Sequence, residues 1–563
     1  MKAMLEKSLL CSLLVLLTSV CATAEKDCLK ADLSPIADWR SLRFGMFIHW
    51  GPVSLTGQEI GWSRGKQTSI EEYDQLYKRF DPVQFDADEW VRVAKAAGMK
   101  YIVLTTKHHD GFCLWDTRQT DYNIMNSPFG RDVVKELAAA CKKQGIEFGA
   151  YYSVCDWHHP DFPRTSPGGK VARKEYNLDR YTEYLKAQVA ELLTNYGPLV
   201  TLWFDVPQEF DAQRGQKVID MCRSIQPGIV INNRTGAEGD YNTPEQHIGG
   251  FDRERPWETC MTICRQWAWK PDDEMKSEKQ CIQTLLQTIG GDGNLLFNVG
   301  PMPDGRIEPR QVDRLMEMGR WVHLYSDAIY GTRGGPFKPG KWGASTCKDN
   351  SVFLFIMEWP KQGFLKLPAL PMKVTKAVVR TGGTLTIRQT SESIEVDVSP
   401  EHRDSIATLI ELTLDGQAFS IQPVSVVHQS NSAAYGKKAD ASNVFQKNKS
   451  YGPDKALDDD TETRWATDGG VSAAWIQVDL GSAKTVNGAM IDEHDWNRVK
   501  RFELQYQVGD EWKTAKAGTT IGAEKKITFK PVKAQVFRLN ILESAEGPTI
   551  WEIQLFEVGK RQQ

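Results

Sequence analysis

Several absences narrow this 563-residue sequence before any motif does. After the first two dozen residues no apolar run approaches the ~20 residues a membrane-crossing helix needs, so the chain is not expected to be a transmembrane protein. There is no basic excess: 69 Lys and Arg face 73 Asp and Glu, for a net charge of -4 and a pI of about 6.3. Nothing in that balance suggests nucleic acid as a partner. A disulfide framework is also missing. Apart from Cys11 and Cys21, the cysteines are scattered and odd in number. Cys260 and Cys264 lack the second Cys/His pair of a zinc site, and Cys113, Cys141 and Cys155 read as small buried residues. No short-period repeat is visible.

What is present begins with a leader. Lys2 and Lys7 precede an apolar stretch from Ser8 to Val20, and Ala22-Thr23-Ala24 fits a small-residue cleavage pattern, so residues 1–24 are expected to be a signal peptide. Export to the periplasm or the medium follows. Lipid anchoring at Cys21 is disfavoured, because Val20 suits that processing poorly. The 18 Trp and 16 Tyr are many, and aromatic faces suit the apolar C–H faces of sugar rings.

At this length roughly two to four domains are expected. From Arg43 to about Tyr330, strands alternate with helices. Strands are expected at Arg43–Trp50, Tyr101–Thr106, Glu147–Ser153, Leu199–Asp205, Ile229–Asn232 and Asn294–Asn298. Helices are expected at Asp88–Ala97, Asp132–Lys143, Leu178–Tyr196, Lys217–Ile225, Ser277–Ile289 and Pro309–Leu324. This pattern predicts a (β/α)8-like TIM barrel over residues 25–330. Glu245 to Trp269 is irregular and leaves the strand count open. After Gly331 the helical period stops. Ser351–Ile356, Lys373–Arg380, Gly383–Arg388 and Ser393–Val398 predict a β-sandwich over 331–421. A polar linker at 422–436 leads to a second all-β module at 437–563, whose clearest strand is Trp475–Leu480.

The strand ends of the barrel gather polar and aromatic groups: His49 and Trp50; His108 and His109 with Trp115; Tyr151 and Tyr152 with Asp156 and Trp157; Trp203 and Asp205; Asn233 and Arg234. One such residue is more often structural than catalytic, and Asp205 alone reads as a strand end or helix cap. Five consecutive strands ending this way define a rim, which is where this architecture places its chemistry. Metal hydrolysis is one option for His49, His108, His109 and Asp205, although adjacent histidines on an extended segment point apart. Glycoside hydrolysis is the other, and it needs two carboxylates. Asp205 is one. Glu245, Glu258 and Glu59 are candidates for the second, and Trp62 or Trp267 nearby would raise the proton affinity of such an acid.

Several stretches resemble the retaining α-L-fucosidases of glycoside hydrolase family 29. They are Phe44-Gly45-Met46-Phe47-Ile48-His49-Trp50-Gly51, Thr106-Lys107-His108-His109-Asp110-Gly111-Phe112, Leu114-Trp115-Asp116-Thr117, Tyr151-Tyr152-Ser153, Leu202-Trp203-Phe204-Asp205 and Asn294-Leu295-Leu296-Phe297-Asn298-Val299-Gly300-Pro301. The resemblance implies an exo-acting hydrolase of terminal α-L-fucosyl linkages on fucosylated glycans, needing no cofactor for catalysis. It implies Asp205 as nucleophile, with His49, His108, His109, Tyr152, Trp203, Arg234 and Trp267 around the sugar; Trp62 and Trp115 join them as substrate-binding candidates. For the acid/base it favours Glu245 over Glu258. Glu59 departs from the family's Glu-Trp-Tyr pattern, since two residues separate it from Trp62. The last module resembles a discoidin-like domain (coagulation factor type C, carbohydrate-binding module family 32) through Lys455-Ala456-Leu457-Asp458-Asp459-Asp460, Thr463-Arg464-Trp465, the Trp475–Leu480 strand and Val499-Lys500-Arg501-Phe502. That resemblance implies a structural calcium, with Asp458 and Asp460 as ligands, against the plainer reading of a solvated acidic turn. The rival from another class is a non-catalytic secreted carbohydrate-binding protein.

Overall fold

The computed structural model describes residues 35–559, apart from 168–172, 361–362, 427–431 and 461–462. The leader, its cleavage after Ala24, Cys21 and the middle of the expected linker lie outside the described residues.

Seven strands form one parallel sheet: β1 (Phe44–Ile48), β2 (Tyr101–Lys107), β3 (Glu147–Ser153), β4 (Thr201–Asp205), β5 (Val230–Ile231), β6 (Glu258–Thr262) and β7 (Asn294–Val299). Their order, β5-β4-β3-β2-β1-β7-β6, leaves β5 and β6 as the two edges. Residues 241–245 run between those edges. Tyr241 pairs in parallel with Asn232, while Asn242 and Glu245 pair with Trp257 and Cys260. Pro244 interrupts this stave because it has no N–H to donate. Even so, Gln246 N donates to Cys260 O (3.0 Å) and Glu258 N to Asn242 O (2.8 Å), and the barrel closes irregularly on this side. The stretch that reads as irregular in the sequence therefore holds both this stave and β6.

The outer helices follow α1 (Pro35–Ser41) and the one-turn α2 (Ile70–Tyr73). They are α3 (Ala87–Ala96), α4 (Val133–Gln144), α5 (Leu178–Asn195), α6 (Ala212–Ile225), α7 (Glu278–Gly290) and α8 (Pro309–Leu324). Asp86, Asp132, Asn177, Asp211 and Ser277 cap α3 to α7, each accepting from a first-turn N–H. Short polar side chains ahead of apolar periodic runs place these starts. Capping by Asp211 starts α6 five residues earlier than the sequence period suggests. Among the described residues no helix separates β5 from the stave, or the stave from β6.

Side chains alternate across the strands. Phe47, Tyr101, Val103, Tyr151, Trp203, Cys260 and Leu296 fill the barrel, with Trp39 from α1 and Tyr241 from the stave in tilted contact at 4.2 Å. Met46, Leu104, Tyr152, Phe204 and Phe297 point outward into the larger core beneath the helices.

A β-sandwich follows, with sheets β12-β15-β10-β9-β8 and β11-β14-β13. These strands are β8 (Arg333–Gly334), β9 (Gly343–Lys348), β10 (Ser351–Ile356), β11 (Leu365–Pro368), β12 (Val374–Val379), β13 (Leu385–Gln389), β14 (Ser393–Val398) and β15 (Thr408–Leu414). Of these, β10, β12, β13 and β14 match strands expected from the sequence, and β8, β9, β11 and β15 do not. The sandwich is bolted to the barrel at Asp292, which is fully buried and paired with Arg40, Arg43 and Arg333. Burial alone would raise the Asp292 pKa, but the three guanidinium groups hold it at about 2. The terminal module is antiparallel, built from β16 (Lys438–Ala441), β17 (Trp465–Ala466), β18 (Ala474–Asp492), β19 (Val499–Val508), β20 (Glu511–Gly518), β21 (Lys525–Ser544), β22 (Thr549–Ile550) and β23 (Glu552–Glu557). Its main sheet has the order β16-β18-β21-β19-β20 with β23 on the far half of β18, β17 pairs with β22, and the module encloses a core of its own. The Trp475–Leu480 strand is the first part of β18 (Ala474–Asp492). No described helix is long and apolar enough to cross a membrane.

Candidate active site

The C-terminal strand ends surround a cavity of about 390 Å³. His49, Trp62, His108, His109, Trp203, Asp205, Arg234, Glu245 and Trp267 all line it, so nine of the candidates meet at one place.

Asp205 ends β4. Its Oδ1 accepts from Arg234 Nη1 at 2.9 Å and its Oδ2 from Tyr151 Oη at 2.8 Å; His109 Nε2 lies 3.8 Å from Oδ2. Burial works against ionisation, but the Arg234 charge, His109 and these hydrogen bonds outweigh it and hold the carboxyl below its usual range. Arg234 Nη1 also reaches Glu245 Oε2 at 2.8 Å, and Arg234 is steadied by Thr243, whose Oγ1 accepts from Nε and whose carbonyl accepts from Nη2. A single guanidinium nitrogen thus holds both carboxylates. Its two legs (2.9 and 2.8 Å) keep the two bonded oxygens within about 5.7 Å of each other, a closeness in keeping with the short carboxyl separation of retaining glycosidases (~5–5.5 Å). The Glu245 side chain is 42% exposed and stands at the mouth.

The three histidines are neutral. Burial lowers the pKa of His49 to about 3, that of His109 to about 4, and that of His108 well below its usual value. The Asn298 amide donates to Trp267 O, so its oxygen accepts from His49 Nδ1 (2.6 Å). Ser153 Oγ donates to Cys155 O and accepts from His109 Nδ1 (2.7 Å). His49 and His109 therefore keep Nε2 as an acceptor suited to a sugar hydroxyl. The adjacent histidines do not point apart as expected. They lie beyond Lys107, after the β2–β3 register shifts between Thr105 and Lys107, where strand alternation no longer applies.

Aromatic rings shape the remainder. Trp62, 40% exposed, stands edge-on to His109 and Trp157, while Trp267 lies against His49 at 4.7 Å. The loop carrying Trp62 is pinned by Tyr73, whose hydroxyl accepts from Gly61 N and donates to Asp110.

Four candidates lie elsewhere. Tyr152 faces the helix layer and donates to Gln188, and its neighbour Tyr151 faces the cavity; strand alternation decides between them. Trp115 is fully buried, with its indole N–H donating to Glu191 on α5. Glu59 sits behind the cavity wall, accepting from the backbone N–H groups of Ile60, Trp267 and Ala268, and so fixes the loop that presents Trp267. Glu258 is 0% exposed, at the start of β6, with both oxygens engaged inside the barrel. Tyr151, placed on the rim by the sequence but not among the pocket residues, lines the cavity, as do Phe47, Val206, Pro207, Gln208 and Cys260, which the sequence reading did not single out as pocket residues. Inward parity with Trp203 and Asp205 on the next strand was the available signal for Tyr151.

In the terminal module Asp458 accepts from Thr463 Oγ1 and from Asp460 N, with Lys455 3.5 Å away. Among the described residues no group of three or more His, Cys, Asp or Glu is disposed to hold a metal ion.

Comparison with known proteins agrees with this geometry. Residues 18–327 match the family model for alpha-L-fucosidase, and residues 438–554 match that of the F5/8 type C domain. Human plasma alpha-L-fucosidase is 30% identical over 363 residues, which cover 58% of this chain and 76% of that protein. The structure of alpha-L-fucosidase isoenzyme 1 from Paenibacillus thiaminolyticus superposes with a TM-score of 0.62 at 34% identity, over 67% of this chain and 98% of the other. A Bacteroides thetaiotaomicron GH29 alpha-L-fucosidase, trapped as a covalent intermediate in complex with 2-fluoro-fucosyl fluoride, gives 0.62 at 27% identity, over 67% and 95%. With more than half of its length matched by the family model, and the expected carboxylate pair on its barrel rim, the chain belongs to the alpha-L-fucosidase family, glycoside hydrolase family 29, and carries a terminal F5/8 type C domain.

Proposed function

We propose that this retaining α-L-fucosidase works through Asp205 and Glu245. Asp205 attacks C1 of a terminal α-L-fucosyl residue while Glu245 protonates the departing oxygen. A covalent fucosyl-enzyme forms, and Glu245 then deprotonates the water that releases fucose with retained configuration. The observation that carries this reading is the Arg234 nitrogen shared by both carboxylates. Neutral His49 and His109 offer ring acceptors to the fucose hydroxyls, and Trp62 and Trp267 offer apolar faces. The cavity floor is closed by the aromatic barrel interior, which suits removal of a chain-end sugar. A binding protein without catalysis would leave the paired carboxylates unexplained.

Asp205→Gly is expected to lose nearly all turnover of an aryl fucoside and to yield an inverted fucosyl azide when azide is supplied; full residual activity overturns the nucleophile assignment. Glu245→Ala is expected to lose far more on poor leaving groups than on activated aryl ones. The same signature in Glu258→Ala would move the acid/base there.

For the terminal module we propose a cation near Asp458–Asp460. Burial, together with Asp459 and Asp458, pushes the Glu552 carboxyl up to about 10, a concentration of negative charge that a calcium ion would relieve. Export as a secreted or periplasmic chain is proposed from the leader alone.

A further inference from the structure

Glu258 is the buried acid that the mechanism leaves unused. Tyr101 Oη donates to its Oε2 at 2.5 Å and Trp203 Nε1 donates to its Oε1 at 2.9 Å. The anchored indole of Trp203 supports two groups above it. The Arg234 guanidinium lies over its ring at 4.9 Å, and the Tyr151 ring stacks on it at 5.5 Å and 19°. Those are the two groups that donate to Asp205.

We infer that Glu258 is a positioning residue: by clamping the Trp203 indole from inside the barrel, it fixes the platform on which Arg234 and Tyr151 rest, and through them it orients the carboxylate of Asp205. The inference rests on Asp205 being the nucleophile. Cavity side chains project from strand ends, and nothing above the rim restrains the Trp203 ring by hydrogen bonding, since its one donor is spent on Glu258. Loss of that bond would free the ring to tilt, and a small displacement of a reacting group is costly.

The groups that face each acid set the pH test. Glu258 is faced by Tyr101 from β2, Trp203 from β4, Tyr241 from the stave and Cys260 from its own strand. Asp205 is faced by Tyr151 from β3, by His49 after β1, by His109 after β2, by Cys155 after β3, by Cys260 from β6, and by Arg234 on the far side, which also carries Glu245. None of the groups around Glu258 donates to Asp205, and Trp203 is the one in ring contact with both Arg234 and Tyr151, so a change at Glu258 is expected to reach the nucleophile through Trp203.

Two substitutions separate this role from its rivals. In Glu258→Gln the amide oxygen accepts from Trp203 and the amide N–H donates to Tyr101, whose own proton can turn to Asn294 Oδ1, an acceptor that is otherwise unpartnered. Its kcat and KM are expected within about threefold of wild type on activated and poor leaving groups alike. Glu258→Leu removes the acceptor. Its kcat is expected to fall roughly ten- to hundredfold on every substrate with KM little changed. The acid limb of kcat/KM is expected to rise by about one pH unit as Asp205 loses its aligned donors. Selective loss on poor leaving groups in Glu258→Gln, with azide accelerating turnover of activated aryl fucosides, makes Glu258 the acid/base and overturns the inference. So does a Glu258→Leu variant with wild-type kcat and acid limb, which makes Glu258 a core filler. If Glu258→Leu does not fold, Trp203→Phe cuts the same bond from the other side and is expected to move the acid limb the same way; an unmoved limb overturns the inference. Azide rescue of Asp205→Gly checks the nucleophile separately, so the two failures cannot be confused.

Discussion

Replacing Tyr151 by Phe removes one hydroxyl, and its consequence can be worked from the structure. That hydroxyl donates to Asp205 Oδ2 at 2.8 Å and helps keep the carboxyl ionised. A hydrogen bond to a charged group is worth about 1.5–3 kcal/mol. At about 1.36 kcal/mol per pKa unit, its loss raises the Asp205 pKa by roughly one to two units. Water can enter the cavity and donate in place of the phenol, so the lower end, about one unit, is expected. The sign follows from the depressed pKa. Asp205 is active when ionised, so the variant loses kcat/KM at higher pH on the acid side, while rates near pH 7 change much less. The assay is a pH profile of kcat/KM on an aryl fucoside for wild type, Tyr151→Phe and Tyr152→Phe. The second variant is the control, because the Tyr152 hydroxyl donates to Gln188 on the helix side. It is expected to lower stability by about 1–3 kcal/mol, through the buried acceptor left unpaired, without moving the limb. An unmoved limb in Tyr151→Phe, or an equal shift in both variants, refutes the reasoning.

Three further predictions follow from other parts of the chain. Asp292→Asn leaves Arg43 buried without a counter-charge and is expected to cost about 3–5 kcal/mol in thermal unfolding at pH 7. Because Asp292 titrates at about 2, below its unfolded value, its stabilisation is present above that unfolded value and is lost as pH falls toward 2, so the gap between wild type and variant should narrow only on strong acidification. Gly61 has φ +65°, and a Cβ there would sit 2.8 Å from His108 Nδ1, so Gly61→Ala is expected to lower kcat/KM by about tenfold, read with an aryl fucoside. Glu552 has a raised pKa and so favours folding at low pH, an effect lost progressively as pH rises toward 10. Millimolar calcium at pH 8 is therefore expected to raise the unfolding temperature of the terminal module in a calorimetric scan, and Glu552→Gln to shrink that increment.

Much of this was legible in the sequence, for identifiable reasons. A sustained apolar period makes the helices legible, and with Pro309 at its first position α8 is read to the residue from Pro309 to Leu324, whereas the Asp211-capped start of α6 is not. The (β/α) alternation specified the barrel, and the strand-end residues specified its rim. What failed was the orientation of single side chains. Tyr151 and Tyr152 are chemically equal in sequence, and only the pleat assigns one to the cavity and the other to the helices. His108 and His109 were expected to diverge because a register shift has no sequence signature that one chain reveals. Glu59 and Glu258 look like acids available for catalysis until burial and their donors are seen. The stave at 241–245 was invisible because Pro244 and a short run of pairs carry no strand period.

That stave has a consequence for how substrate range can change. Asp205, the proposed nucleophile, stands on a strand flanked by helices on both sides in sequence, so lengthening the chain beside it would dislodge packed cylinders. Arg234 and Glu245 stand where those cylinders are missing, on backbone joined to its neighbours by a few bridges. Insertions between Ile231 and Glu258 that leave Arg234 and Thr243 in place can therefore reshape the mouth beside Glu245 while Asp205 keeps its place. With the roles proposed for Asp205 and Glu245, attack is built on the rigid side and leaving-group recognition on the side that tolerates rewriting.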